Sequence, residues 1–162
     1  MSKLQLIIIV SSLVFLGYAF YENQDKIVNF FVGETKQVVE INGLKLFVGV
    51  ADSQEERIRG LSGTETLGEF EALLFVFETV DRHGIWMKDM NFSIDIIWIS
   101  EDMKIVDIER QVDPNTYPRS FKPDKPARYV LETNSGLTQL FNIETGQTVR
   151  IPKNIVDRVL SN

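Results

Sequence analysis

The 162-residue chain has no cysteine and one histidine, His83. Without cysteine there are no disulfides, thiolate nucleophiles or sulfur-ligated metals; this suits an oxidising compartment without requiring one. With one histidine, any metal site would rest on carboxylates. No HExxH or DxDxDG spacing surrounds His83, Asp81 and Asp89, so no metal is expected. A Ser-His-Asp triad would need the same histidine, and no GxSxG elbow occurs. No phosphate-cradling glycine loop, internal repeat or low-complexity tract is present, and no cofactor is implied. Positive charge is also scarce: 17 Lys and Arg against 23 Asp and Glu leave a net charge of −6. Such a surface repels a phosphate backbone, and nucleic acid is not an expected partner.

What is present resembles an ordinary globular chain, with 44% hydrophobic and 25% charged residues. The exception is the uncharged run over residues 4 to 21, which follows Lys3. At about 1.5 Å rise per residue it is near the minimum length for a membrane-spanning helix. Gly17-Tyr18-Ala19-Phe20-Tyr21 offers no clean cleavage site, so residues 1–21 are expected to be a signal anchor. Cleavage, the alternative, would make the protein secreted. Lys3 before the run, with Glu22 and Asp25 after it, places the N-terminus in the cytoplasm and the domain on the extracytoplasmic side of a single-pass membrane protein. Residues 22–35 read as a juxtamembrane tether and residues 36–162 as a single β-rich globular domain.

Within that domain, Asn42-Gly43 between two β-favouring runs predicts a hairpin. Ser53 and Glu56 stand at capping-box spacing and open a short helix that stops at Gly60. Residues 72 to 77 form an apolar run suited to a strand buried on both faces. Residues 84 to 90, 92 to 99 and 103 to 110 are further expected strands, as are the stretches containing ARYVLETNSG and GQTVRI. Residues 111 to 127 hold four of the chain's five prolines and read as a long loop, of the kind that serves as a lid or binding loop or merely crosses the surface. Ile155, Val156, Val159 and Leu160 fall at helical spacing. The expected fold is mainly β (α+β): a small closed barrel or sandwich of about seven or eight strands with one or two short helices, preceded by the transmembrane segment.

The chemistry concentrates in polar residues set among apolar ones. Asp95, in NFSIDIIWIS, has apolar neighbours on both strand faces, so its carboxyl must be paired, hydrogen-bonded or protonated. Arg57, Arg59, Lys88 and Arg128 are the candidate partners, arginine being favoured for its bidentate fork. Two readings stand, a buried latch or a functional carboxylate. In ARYVLE, alternation puts Arg128, Val130 and Glu132 on one face and Tyr129 and Leu131 on the other. Glu132 could then converge with Asp95 as an acid/base pair or join a salt-bridge network. Extended chain over residues 84 to 90 would set Trp86, Lys88 and Met90 on one face, an aromatic beside a cation, suited to stacking a sugar or other planar ligand. A lysine stem packed on tryptophan would look the same.

In order along the chain, VADSQEERIRGLSG, LLFVF, IWMKDMNFSIDIIWIS and ARYVLETNSG resemble the prokaryotic family called domain of unknown function 192, over about residues 38 to 151. Glu56, Arg57, Gly60 and Leu61 match its first block. Trp86, Met87, Lys88, Asp95 and Ile96 match the central one, and Glu132 and Gly136 the last. Ser62, Ala72-Leu73, Met90 and Ser93 depart from it in ways that would reshape a pocket rim. The resemblance implies a small β-rich fold and, often, a secretory or membrane-anchored N-terminus; it implies no activity.

Together these readings predict a small-molecule ligand, a saccharide or an anionic envelope component, bound by Arg57, Trp86, Lys88, Asp95, Arg128 and Glu132. A hydrolase or lyase using Asp95 and Glu132 is one alternative. An envelope scaffold docking a protein through loop 111–127, with Tyr117 and Phe121, is another. No catalytic residue and no oligomeric state can be assigned from sequence.

Overall fold

In the computed structural model, which describes residues 37–160, Asn42 (φ 49°) and Gly43 (φ 82°) both take left-handed backbone. Two such residues are what a tight type I′ turn requires, and they join β1 (Gln37–Ile41) to β2 (Leu44–Ala51). Leu44, Leu46 and Val48 are buried along β2 while Lys45 is exposed. Helix α1 (Gln54–Arg59) follows with the expected capping box: the Ser53 side chain accepts from the Glu56 amide, and Glu56 reaches back to the Ser53 amide. These bonds, foremost that from the Ser53 backbone, hold the Glu56 carboxyl below its ordinary range. Gly60, at φ 50°, ends the helix.

The remaining elements are β3 (Glu71–Asp81), β4 (Ile85–Trp86), β5 (Ile94–Ile99), β6 (Ile105–Val112), β7 (Ser120–Phe121), β8 (Ala127–Asn134), α2 (Leu137–Leu140), β9 (Val149–Arg150) and α3 (Lys153–Leu160). Seven strands form one sheet in the order β6-β5-β8-β3-β2-β1-β9, with β2 and β3 its parallel pair, while β4 and β7 pair separately. The sheet curls until its two edges meet at one end. There the Ile105 amide donates to the Gln147 carbonyl (3.0 Å) and the Val149 amide to the Met103 carbonyl (2.9 Å), beside a Lys104–Thr148 bridge. The result is a mainly β half-barrel with a few short helices, tied only at that end, rather than the expected fully closed barrel or sandwich.

Val39, Leu46, Leu74, Ile97, Leu131 and Ile155 belong to the core cluster inside the curl. Each buried aliphatic side chain contributes about 1.5–3 kcal/mol, and truncating Leu131 to alanine there would cost about 2–5 kcal/mol. The central strands are buried on their outer face too: Leu73, Phe75, Ile96, Trp98 and Val130 are all at most 4% exposed. The paired strands β4 and β7 and the chain around Leu61 form this outer layer, where Leu61, Ile85, Met87 and Phe121 are buried in turn. The functional candidates divide between these two faces.

Three expectations need correction. The strand expected over residues 84 to 90 stops at Trp86, and Asp89 turns to φ 53°. The Lys88 carbonyl accepts from Ser62 Oγ (2.7 Å) and the Asp89 carbonyl from the Gly63 amide (2.8 Å), so loop bonding replaces strand alternation and Lys88 does not follow Trp86 down one strand face. Residues 111 to 127 are not structureless: they hold a 3-10 turn (Pro114–Thr116), capped by Asp113, and β7. Phe121, expected as a docking residue, is buried (5% exposed) opposite Ile85. The expected anchor (1–21) and tether (22–35) lie outside the described residues; among the described residues no helix is long and apolar enough to cross a membrane.

Candidate functional site

Strand register separates the two carboxylates that the sequence suggested might converge. Asp95 lies opposite Thr133, which lies opposite Ala72. Ala72 belongs to the inner core cluster, so Asp95 points inward. Glu132 lies between Leu73 and Ile96 and so points outward. Residues paired across a sheet share a face and sequence neighbours take opposite ones. Asp95 and Glu132 cannot act on one substrate as an acid/base pair.

Asp95 is 0% exposed, and none of the basic side chains proposed for it is its partner. Its Oδ1 accepts from the amides of Gln111 (2.8 Å) and Gly136 (3.1 Å), and its Oδ2 from the amide (3.0 Å) and hydroxyl (2.6 Å) of Thr138. The Gln111 bond depends on a bulge, because between the pairs Ile94–Val112 and Ile96–Glu109 two β6 residues face the single residue Asp95. Gln111 adopts φ 53° there, and its amide bonds to the carboxyl instead of continuing the ladder. Gly136 lacks a side chain to cap α2, and Asp95 does so from across the sheet. Asp95 is therefore a latch tying β5, β6 and α2 together.

Glu132 lines a narrow cleft that encloses about 30 Å³, room for a water-sized group, together with Arg57, Gly60, Phe75, Trp86 and Met90 among others. It is 4% exposed, and its Oε2 has no hydrogen-bonding partner in the protein. Burial alone pushes its carboxyl up to about 8, so it is a neutral acid near pH 7. That form carries one O–H donor and retains acceptor capacity.

Arg57 forms a wall without neutralising Glu132. Its Nη1 donates to the Val76 carbonyl (3.0 Å) and to the Asp52 carbonyl, its guanidinium lies 5.4 Å from the Phe77 ring centre, and its Nη2 is 3.9 Å from the exposed Glu78 carboxylate. Trp86, 45% exposed, lies at the rim and meets Tyr117 edge to face, ring centres 6.4 Å apart. A Cβ on Gly84, also at the rim, would collide with Ser120 Oγ, so glycine allows β4 and β7 to approach closely.

Of the six expected site residues, Arg57, Trp86 and Glu132 line this cleft. Lys88 is exposed and outside its lining; Arg128 is bound to the Glu78 carbonyl (3.1 Å) and Glu101 (3.4 Å), also outside it; Asp95 faces the other way. Met90 and Ser62, expected at a pocket rim, also line it, whereas Phe75 and Gly84 were not anticipated as lining residues. His83 serves packing: its ring stacks on Phe77 at 3.7 Å, its Nε2 is 2.9 Å from the Thr79 carbonyl, and its own carbonyl accepts from Trp98 Nε1. Among the described residues, no group of three or more histidine or acidic side chains could hold a metal ion.

Comparisons with known proteins agree with this fold. A UPF0127 protein of Thermococcus kodakarensis is 31% identical over 104 residues, covering 63% of this chain and 62% of that protein. A UPF0127 protein of Thermococcus sibiricus is 30% identical over 103 residues, covering 63% and 64%. The matched part thus spans just under two thirds of the length of these curated relatives. A crystal structure of a protein of unknown function from Novosphingobium aromaticivorans superposes with TM-score 0.69 at 24% identity, over 74% of this chain and 88% of that one, a likeness of fold alone. The family model of domain of unknown function 192, described as uncharacterized ACR, matches residues 37–151, and the chain belongs to that family.

Proposed function

We propose that the domain binds a small, hydroxyl-bearing ligand, a saccharide by class, at the mouth of the cleft between α1 and β4, with one hydroxyl directed into it. The observation that carries this reading is Glu132, which lines the cleft and whose buried Oε2 has no protein partner. A buried polar group left unsatisfied costs about 1–3 kcal/mol, a cost that a ligand hydroxyl removes by accepting from or donating to the neutral carboxyl. Trp86 adds an exposed aromatic face at the rim, suited to the apolar side of a sugar ring.

An anionic ligand is the weaker choice, because Arg57 is already engaged by two carbonyls and Lys88 lies outside the lining. A hydrolase or lyase working through Asp95 and Glu132 is disfavoured by their opposite faces. The scaffold reading loses Phe121 to the interior. If residues 1–21 anchor the chain, the module would stand at the extracytoplasmic surface, among envelope saccharides.

Thermal-shift measurement on the full chain against a panel of sugars and organic acids tests the proposal. Ligand at about 100 times its Kd should add roughly 2.7 kcal/mol of stability. Glu132→Gln should keep much of that gain and Glu132→Leu should lose it. Equal shifts in wild type and Glu132→Leu would place binding elsewhere.

A further inference from the structure

We propose that a second cleft, built by the chain before β3, the end of β8 and α2, binds a small alkylated ammonium compound, choline-like in class. It encloses about 310 Å³, within the range of small-molecule sites, and shares no lining residue with the cleft at Glu132. Phe70, Leu137, Leu140 and Phe141 supply its apolar walls, and Glu69 and Asn134 its polar edge. Leu140 is 73% and Phe70 39% exposed, so the fold leaves these apolar side chains open to solvent.

The walls are held in place without a ligand. Asn134, the last residue of β8, donates from Nδ2 to the Leu67 (3.2 Å) and Gly68 (2.8 Å) carbonyls, joining one wall to the other. The Phe70 carbonyl accepts from the Phe47 amide (2.8 Å), and the Phe141 carbonyl accepts from Asn42 Nδ2 in the β1–β2 turn (3.1 Å). The two phenyl rings stand at 71° with centres 6.3 Å apart, a fixed aromatic corner.

The electrostatics of the lining select a cation. Glu69 is its one charged side chain, and no lysine, arginine or histidine lines it. With Nδ2 engaged by two carbonyls, Asn134 offers its Oδ1, an acceptor. The amides of Gly136 and Thr138, which would attract an anion at the start of α2, already donate to Asp95. Aromatic faces attract a cation that lies within about 6 Å of the ring centre. An alkylated ammonium fits this combination: its methyl groups meet Leu137 and Leu140, its charge meets the rings and Glu69, and the hydroxyl of choline donates to Asn134 Oδ1. A bare ammonium is strongly hydrated and loses more on leaving water.

Titration calorimetry on the full chain tests the site with choline, tetramethylammonium, ammonium and neohexyl alcohol, the uncharged carbon analogue of choline. Choline and tetramethylammonium should bind roughly tenfold or more tighter than the uncharged analogue and than ammonium. Glu69→Gln, at an exposed position, should keep the melting temperature and weaken choline several-fold. Phe70→Leu keeps an apolar wall but removes a π face, and should weaken choline roughly tenfold. Glu132→Leu should bind choline like the wild type, which separates this site from the saccharide reading. The uncharged analogue binding as tightly as choline, Glu69→Gln and Phe70→Leu both binding choline unaltered, loss of choline binding in Glu132→Leu, or no binding of either alkylated cation at millimolar concentration would overturn the proposal.

Discussion

Replacing Glu132 with glutamine keeps the shape and hydrogen-bonding capacity of the buried group but removes its titration. In the folded protein burial raises the carboxyl from the ordinary 4.5 to about 8. Between those values the unfolded chain has released its proton while the folded chain retains it, so rising pH favours unfolding. The stability of the wild type relative to Glu132→Gln is therefore highest below about pH 4.5 and falls as pH rises through about 8. At about 1.4 kcal/mol per unit, the difference amounts to roughly 4–5 kcal/mol. A domain of this size has only about 5–15 kcal/mol in total, so the effect is large. Urea unfolding of both proteins, followed by circular dichroism from acid to mildly alkaline pH, measures it directly. Unfolding free energies that stay parallel, with a gap constant within about 0.5 kcal/mol, would refute a dry, neutral Glu132.

Asp95→Leu strips the acceptor from three amides and one hydroxyl; at about 1–3 kcal/mol for each orphaned buried donor, denaturant unfolding should register a loss of at least ~3 kcal/mol. Trp86→Ala should leave the melting temperature nearly unchanged, because the ring is already half exposed, and weaken saccharide binding roughly tenfold by titration. Ser53→Ala should cost about 1 kcal/mol in the same unfolding assay through loss of the α1 cap. His83→Phe should preserve the stack on Phe77 and stay within about 1 kcal/mol of wild type. Its saccharide affinity should also be unchanged, and a loss of binding would bring the histidine into the site.

The features legible in the sequence were those whose causes are local. Asn42-Gly43 can hardly avoid a hairpin turn, the Ser53–Glu56 pair caps a helix within one turn, and the alternation of Arg128, Val130 and Glu132 needs only an extended chain. The need for Asp95 to be satisfied was also readable. Its partners were not, since they are backbone amides presented by a β6 bulge and by the Gly136 turn. Whether Asp95 and Glu132 share a face depends on how β5 registers against β8, and a slip of one residue would reverse the answer. No composition or spacing carries that information. Lys88 was misplaced by Asp89, a non-glycine residue in left-handed backbone that ends the alternation. Tyr117 lies far from Trp86 in sequence and meets it only because β7 pairs with β4.

The claim that Glu132 is the recognition group is tested most directly by its carboxyl carbon-13 resonance, followed in labelled full-length protein near neutral pH as each sugar of the panel is added. The resonance should start at the position of a neutral acid and move saturably with the sugar that binds. A Glu132 resonance at the position of an ionised carboxylate, or one that stays fixed at every sugar concentration, would contradict the account.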